Sequence, residues 1–395
     1  MITFLKEAEN IKDELIAIRR DIHEHPELGF EEKRTSEIIK RFLTKEGIPY
    51  VSVAGTGVYG MIKGEGNGNT QRTIALRADM DALPIQEKNL CSYCSKVPGK
   101  MHACGHDAHT TILLGVARIL NNNRKLFSGN VKLLFEPAEE TTGGAPIMIK
   151  EGVLDSPRVD VVAGLHVTED LECGKIRIKK GMVNAASNPF KVKIKGVGGH
   201  GAAPSTTVDP IVMSANLIMA LQTIVSREVP SLNPAVITVG SIHGGTAQNI
   251  IPEEVNISGI IRTTTKEDRE YVVKRVVEIS KGTCETLRGK AEVFIEESYP
   301  CLFNDDEMVD RMKRVGKDIL GEKNVVEQKN PSMGVESFAY FANERPSVFY
   351  FLGTGNKAKN TDKQAHSSYF NIDEDAIPLG VALQCGIVFD YLTIL

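Results

Sequence analysis

Apolar residues recur at helical spacing near the start of the chain. Leu5, Ala8, Ile11, Leu15 and Ile18 fall on one face, so residues 4–20 predict an amphipathic helix. A polar loop, His23-Glu24-His25-Pro26-Glu27-Leu28-Gly29-Phe30, separates it from a second predicted helix over 31–46. Residues 50–62 alternate enough to be strands, and 64–68 is a glycine-rich turn. Short apolar runs then alternate with helical ones. Residues 73–77, 130–135 and 159–165 predict buried strands, with helices over 110–120 and 143–152. Reactive side chains follow each strand: Asp79 and Asp81, then Glu136, Glu139 and Glu140, then His166. This pattern describes an α/β sheet, helices on both faces, with a site along one edge.

The character changes near Gly181. A strand (189–195), a long apolar helix (208–226), strands 235–242 and 254–262, a charged helix (266–286) and a strand (291–295) follow. That order matches a ferredoxin-like α+β unit. The expected division is a catalytic domain from 1–184 and 298–395, interrupted at 185–297 by an inserted lid or dimerisation domain. After Pro300 the α/β pattern returns, with helices 305–319 and 337–342, strand 348–352 and a closing helix from Asp375.

A chain of 395 residues is long enough for two cores. A net charge of -4 with no basic block argues against nucleic acid or an anionic membrane as partner. No apolar run reaches bilayer length, and acids early in the N-terminus break any signal-peptide core. Seven cysteines, an odd number without a dense framework, are expected of a reducing cytoplasm.

The densest chemistry lies in Met101-His102-Ala103-Cys104-Gly105-His106-Asp107-Ala108-His109. Cys104 and His106, one residue apart, leave an extended loop on the same side, and thiolate with imidazole suits zinc or a similar metal. Further candidate ligands are one of Glu139 and Glu140, then His166 and His366. Five donors exceed one tetrahedral zinc, whereas two metals sharing a bridging ligand would use them all. Of two adjacent glutamates, one can bind metal while the other takes a proton from water. His102 and His109 are expected to orient the loop, His23 and His25 to pack near the site, and His243 to be structural. Asp79 is open between structural and supporting roles. Cys91-Ser92-Tyr93-Cys94 has redox-motif spacing without strand-to-helix context, so incidental thiols are expected.

Several motifs in order resemble the dinuclear metallo-amidohydrolases of peptidase family twenty, in the branch of aminoacylases, hippurate hydrolases and auxin-conjugate hydrolases. They are His23 to Glu27, Leu76 to Pro84, His102 to His109, Phe135 to Glu140, Gly164 to His166, Gly198 to Pro204 and His366 to Asp373. The resemblance implies that Cys104, His106, Glu140, His166 and His366 hold two divalent metals, zinc or manganese, with cobalt or nickel as substitutes in vitro. It implies Glu139 as general base, Asp81 as the carboxylate behind the ligands, His200 as donor to the oxyanion, and Asn249 and Arg262 as substrate contacts. The implied reaction cleaves the amide of an N-acyl amino acid, a small-molecule substrate. N-acetyl-diaminopimelate deacetylase, dipeptidase or carboxypeptidase, and a non-hydrolysing binder of amino-acid derivatives are the alternatives. A homodimer or homotetramer fits the family. The branch usually has aspartate where Ser337 stands, which points to altered substrate-side specificity.

Overall fold

The computed structural model describes residues 2–68, 71–141 and 143–393. It divides into two units, one of Met1–Gly181, Phe303–Asn330 and Ser337–Leu395, the other of Met182–Leu302 and Pro331–Glu336.

The first unit is built on an eight-stranded mixed sheet. Its strands are β1 (Tyr50–Val53), β2 (Gly57–Lys63), β3 (Thr73–Asp79), β4 (Asn130–Glu136), β5 (Val161–Glu172), β6 (Ile176–Ile178), β7 (Val325–Glu327) and β8 (Ser347–Gly355). They lie in the order β1-β2-β4-β3-β5-β8-β6-β7. The central four, β4, β3, β5 and β8, run parallel. All of β3 is buried, as expected of a parallel strand covered on both faces. The parallel arrangement carries the segments after β3 and β4 to the same sheet edge.

Residues 159–165 are predicted to end a strand at His166, but β5 continues to Glu172, with His166 opposite Phe351. Burial is continuous to Leu165 and intermittent beyond it. The chain therefore leaves the core without leaving the sheet, and a buried-run pattern stops at the wrong place.

The helix His106–Asn122 is buried along nearly its whole length between the helices Lys12–Glu24 and Ala376–Thr393. It starts at Gly105, which has φ +85°, and a Cβ there would stand 2.3 Å from Val167 Cγ2. Only glycine meets both conditions. The closing helix Ala376–Thr393 has the length and apolar content of a membrane span, but 78% of it is buried inside the fold, as in a core helix.

The second unit is a four-stranded antiparallel sheet ordered 235–244, 254–263, 186–195, 290–295. Helices Pro210–Thr223 and Lys266–Thr286 supply its core with Met213, Leu217, Leu221, Val272 and Val276. Asp209 and Thr265 cap these helices by accepting backbone N–H groups of the first turn. The strand order is that of the ferredoxin-like unit the sequence predicts.

Gly105→Ala should lower the unfolding free energy by about 1–3 kcal/mol, read as a lower urea midpoint at unchanged slope. An unchanged midpoint would show that the turn accepts a side chain.

Candidate metal centre

Three left-handed residues shape the loops that carry the candidate donors. Gly105 turns the chain between Cys104 and His106, Ala138 (φ +57°) precedes Glu139 and Glu140, and His366 has φ +63° itself. Such a backbone is strained for a non-glycine residue and persists only where the surroundings fix it. Ala138 donates its N–H to Glu32 Oε1 at 2.7 Å, and His366 donates its N–H to Ala103 O at 2.8 Å. The second bond ties the C-terminal loop directly to the Cys104 loop.

The structure brings all five predicted ligands together. Cys104, His106 and His166 present donor atoms within 4.8 Å of one another, and so do Cys104, Glu140 and His366. Cys104 belongs to both trios. Its Sγ lies 3.4 Å from His166 Nε2, while His366 Nε2 lies 3.1 Å from Glu140 Oε1. Each inner imidazole is turned by its other nitrogen. His106 Nδ1 donates to Asp81 Oδ1 at 3.1 Å, and His166 Nδ1 donates to Val167 O at 2.6 Å. Both Nε2 lone pairs are thereby left for a ligand. His106 Nε2 is buried without a hydrogen-bond partner among the described residues, 3.9 Å from Glu140 Oε1. Burial, with Glu140 nearby, pushes the Cys104 thiol well above its ordinary value, a shift that a bound cation reverses. A soft sulfur, three nitrogens and carboxylate oxygen with an orphaned, desolvated nitrogen fit a pair of divalent cations.

The neighbouring histidines behave differently. His109 Nδ1 donates to Asp79 Oδ1 at 2.5 Å, and its Nε2 accepts the Val167 N–H at 2.9 Å, so no lone pair remains. Burial lowers its pKa to about 4, which keeps the ring neutral. His109 therefore ties the Asp79 carboxylate to the Val167 backbone, with no ring nitrogen left over. His102 is buried with its pKa lowered to about 3 by burial, and neither ring nitrogen has a partner among the described residues. His23 lies on the first-unit helix Lys12–Glu24 instead of the predicted loop. It stands between Asp107 Oδ2 (2.7 Å) and Glu87 Oε1 (3.3 Å). Burial and Arg19 oppose its charge, but the two carboxylates outweigh them and raise its pKa.

Ser337 is where the sequence expectation changes most. It is buried behind Glu139 and donates its backbone N–H to Glu139 Oε1 at 3.0 Å. Its hydroxyl accepts from Arg77 Nη2 and donates to Glu136 Oε1, each at 2.7 Å. Arg77 also bonds Glu136 Oε2 at 2.6 Å and Asp79 Oδ2 at 2.7 Å. Ser337 thus touches the candidate base, and the Glu136 carboxylate lies against its hydroxyl. Two polar residues in otherwise buried strands, Arg77 and Glu136, were the available signal for this cluster.

In the second unit His200 and Asn249 are close. His200 pairs with Ile250 in a short ladder, and the Gly201 N–H donates to Asn249 O at 2.8 Å. His200 is exposed, and its Nδ1 accepts the Ala202 N–H at 3.1 Å, which places the ring proton on Nε2. Arg262 stands on the strand Glu254–Thr263, its Nη1 buried and without a hydrogen-bond partner among the described residues. Burial alone lowers its pKa.

Ser337→Asp should set a third carboxylate against Arg77 and cost about 3 kcal/mol. The double variant Glu136→Gln/Ser337→Asp restores the charge count and should recover most of that loss, with kcat following stability. Equal melting of the single and double variants would refute a charge balance shared between Glu136 and position 337.

Residues 75–390 match the profile of Peptidase family M20/M25/M40. An IAA-amino acid hydrolase of Arabidopsis thaliana is 42% identical over 96% of this chain and 86% of its own length. An N-acetyl-L-cysteine deacetylase of Bacillus subtilis is 41% identical over 95% of this chain and 89% of its own. A crystal structure described as a dinuclear metal-binding peptidase of the M20 family, from Bacillus subtilis, superposes with TM-score 0.84 at 33% identity, covering 98% of this chain and 100% of that one. With the profile spanning most of its length, the chain belongs to the M20/M25/M40 peptidase family, whose members hydrolyse amide bonds.

Proposed function

We propose that the protein is a metal-dependent amidohydrolase that cleaves N-acyl amino acids, N-acetyl or similar, to a carboxylate and a free amino acid. The observation that carries this reading is the pair of donor trios sharing Cys104, with Glu139 held beside them by the Ser337 N–H. The named activities of the relatives, on an amino-acid conjugate and on an N-acetyl amino acid, support the same substrate class. Cys104, His106, Glu140, His166 and His366 would hold two divalent cations, zinc or manganese. Bound there, the cations would supply Lewis acidity and lower the pKa of a bound water.

The chain's own residues do the rest. Glu139, desolvated and fixed through one oxygen, takes the proton of the attacking water and returns it to the leaving amine. Asp81 keeps His106 in the tautomer that offers Nε2. His200, with its proton on Nε2, is a donor for the oxygen that becomes negative in the tetrahedral state. Arg262 has an unspent guanidinium nitrogen suited to the substrate carboxylate, and Asn249 suits its amide. The inserted unit serves as the lid in this reading, with Gly181 and the segment near Glu297 as hinges, in a cytoplasmic dimer or tetramer. Residues that only captured a ligand would need no carboxylate posted as base, which favours hydrolysis over binding.

Glu139→Gln should keep the bound metal and reduce kcat by about 10²–10⁴, with metal content measured on the same sample. Near wild-type turnover would remove Glu139 as base. Exhaustive chelation should abolish hydrolysis of N-acetyl and N-benzoyl amino acids, and zinc or manganese should restore it. If dipeptides outpaced both acyl series, the protein would be a dipeptidase of this family instead.

A further inference from the structure

The proposed reaction leaves one reactive group unused, the pair Cys91 and Cys94. Their Cα atoms are 5.3 Å apart and the structure joins them in a disulfide, which corrects the expectation of incidental thiols. The spacing lies inside the range that a disulfide bridges without backbone movement. Both residues are part-exposed beside the fully exposed Leu90, so small oxidants reach them. The remaining cysteines are poorer targets. Cys104, Cys284, Cys301 and Cys385 are buried, and burial pushes the half-buried Cys173 up to about 12.

What surrounds the pair matters more than its reactivity. Cys91 Sγ lies 4.0 Å from Glu87 Oε1, and Cys94 Sγ receives the Cys91 N–H at 3.0 Å. Glu87 also accepts from the Ser95 N–H at 2.6 Å and from Asn89 Nδ2 at 3.0 Å, so the same loop encloses it from both sides. From Glu87 a buried chain runs through His23 to Asp107, which adjoins His106 at the start of its helix. Tyr93, between the two cysteines, lies 4.5 Å from the Arg20 guanidinium and 5.1 Å from that of Arg19, and accepts from Asn371 Nδ2 at 3.0 Å. Arg19 Nε in turn is 2.8 Å from Asp107 Oδ2. Two routes from the cysteine loop, one through Glu87 and His23 and one through Tyr93 and Arg19, thus meet at Asp107.

We propose that Cys91 and Cys94 form a reversible dithiol–disulfide site, oxidised by peroxide, whose closure stiffens the loop behind Asp107 and slows loss of metal from the centre. In the step itself one thiolate attacks a peroxide oxygen, the O–O bond breaks, and one water leaves after protonation. The other thiol attacks the resulting sulfenic sulfur, the S–S bond forms, and a second water leaves. Two thiols are oxidised and one peroxide is reduced. The effect on metal retention rests on the function proposed above; the thiol chemistry does not.

The test uses zinc-loaded protein, reduced with dithiothreitol or treated with mild hydrogen peroxide. Free thiols are alkylated and the peptide carrying both cysteines is weighed. After peroxide it should be lighter by two hydrogens and unalkylated, and dithiothreitol should reverse this. Zinc release to a chromogenic chelator should be about tenfold slower from the oxidised form, the low end of what partners behind metal ligands contribute. The Cys91→Ser/Cys94→Ser variant should release zinc at the reduced rate under both treatments. Alkylatable Cys91 and Cys94 after peroxide, with another cysteine oxidised first, would overturn the site. Equal release rates from the two wild-type forms would overturn the coupling. A protein that takes up no zinc sinks the metal reading, and the peptide masses then decide the pair alone.

Discussion

One carboxylate, Asp81, sets the frame on which the centre depends. Its Oδ1 accepts from His106 Nδ1 at 3.1 Å, and its Oδ2 accepts the Glu140 N–H at 3.0 Å. These two partners come from different segments, one opening a helix and the other ending the turn after β4. A single side chain two residues beyond the end of β3 therefore ties together the segments that carry a nitrogen donor and an oxygen donor. Parallel pairing of β3 with β4 makes this possible, since it brings the end of one strand beside the end of the next. An antiparallel neighbour would have placed Glu140 at the opposite edge.

The frame is expensive because it concentrates charge in a dry interior. Arg77 and Arg19 are both buried and serve as the counter-ions. Arg77 pairs with both Asp79 and Glu136 beneath Glu139, and Arg19 pairs with Asp107 beneath His106. A buried ion pair is weak evidence for stability, since desolvation offsets most of the attraction. Its worth here is geometric. Guanidinium groups with several acceptors hold each carboxylate in one orientation, and the histidine tautomers follow from those orientations.

Much of this was legible in the chain. Alternating strand and helix patterns identified the sheet and the ferredoxin-like unit; Cys104 and His106 stood out as a dense motif, the glutamate pair and His166 as side chains after apolar runs, and the choice of Glu140 came from the family resemblance. What escaped was whatever depended on a neighbour remote in sequence. Nothing local distinguishes Ser337 from a surface serine; its role comes from Arg77 and Glu136, about 200 residues or more away. His166 was placed at a strand end because burial, not pairing, stops there. The cysteine pair lacked the strand-to-helix setting of a redox motif, and its significance came from Glu87 and His23, which periodicity does not connect.

The two units also differ in the sign of what they offer. Around Cys104 the available atoms are lone pairs: thiol sulfur, imidazole Nε2 and carboxylate oxygen, a set that attracts cations. In the second unit the available groups are donors: His200 Nε2–H and the orphaned Arg262 nitrogen. An N-acyl amino acid presents acceptors at both ends of its scissile bond, a carbonyl oxygen and an α-carboxylate. In the proposed reaction the carbonyl needs cations together with a donor, and the carboxylate needs a guanidinium.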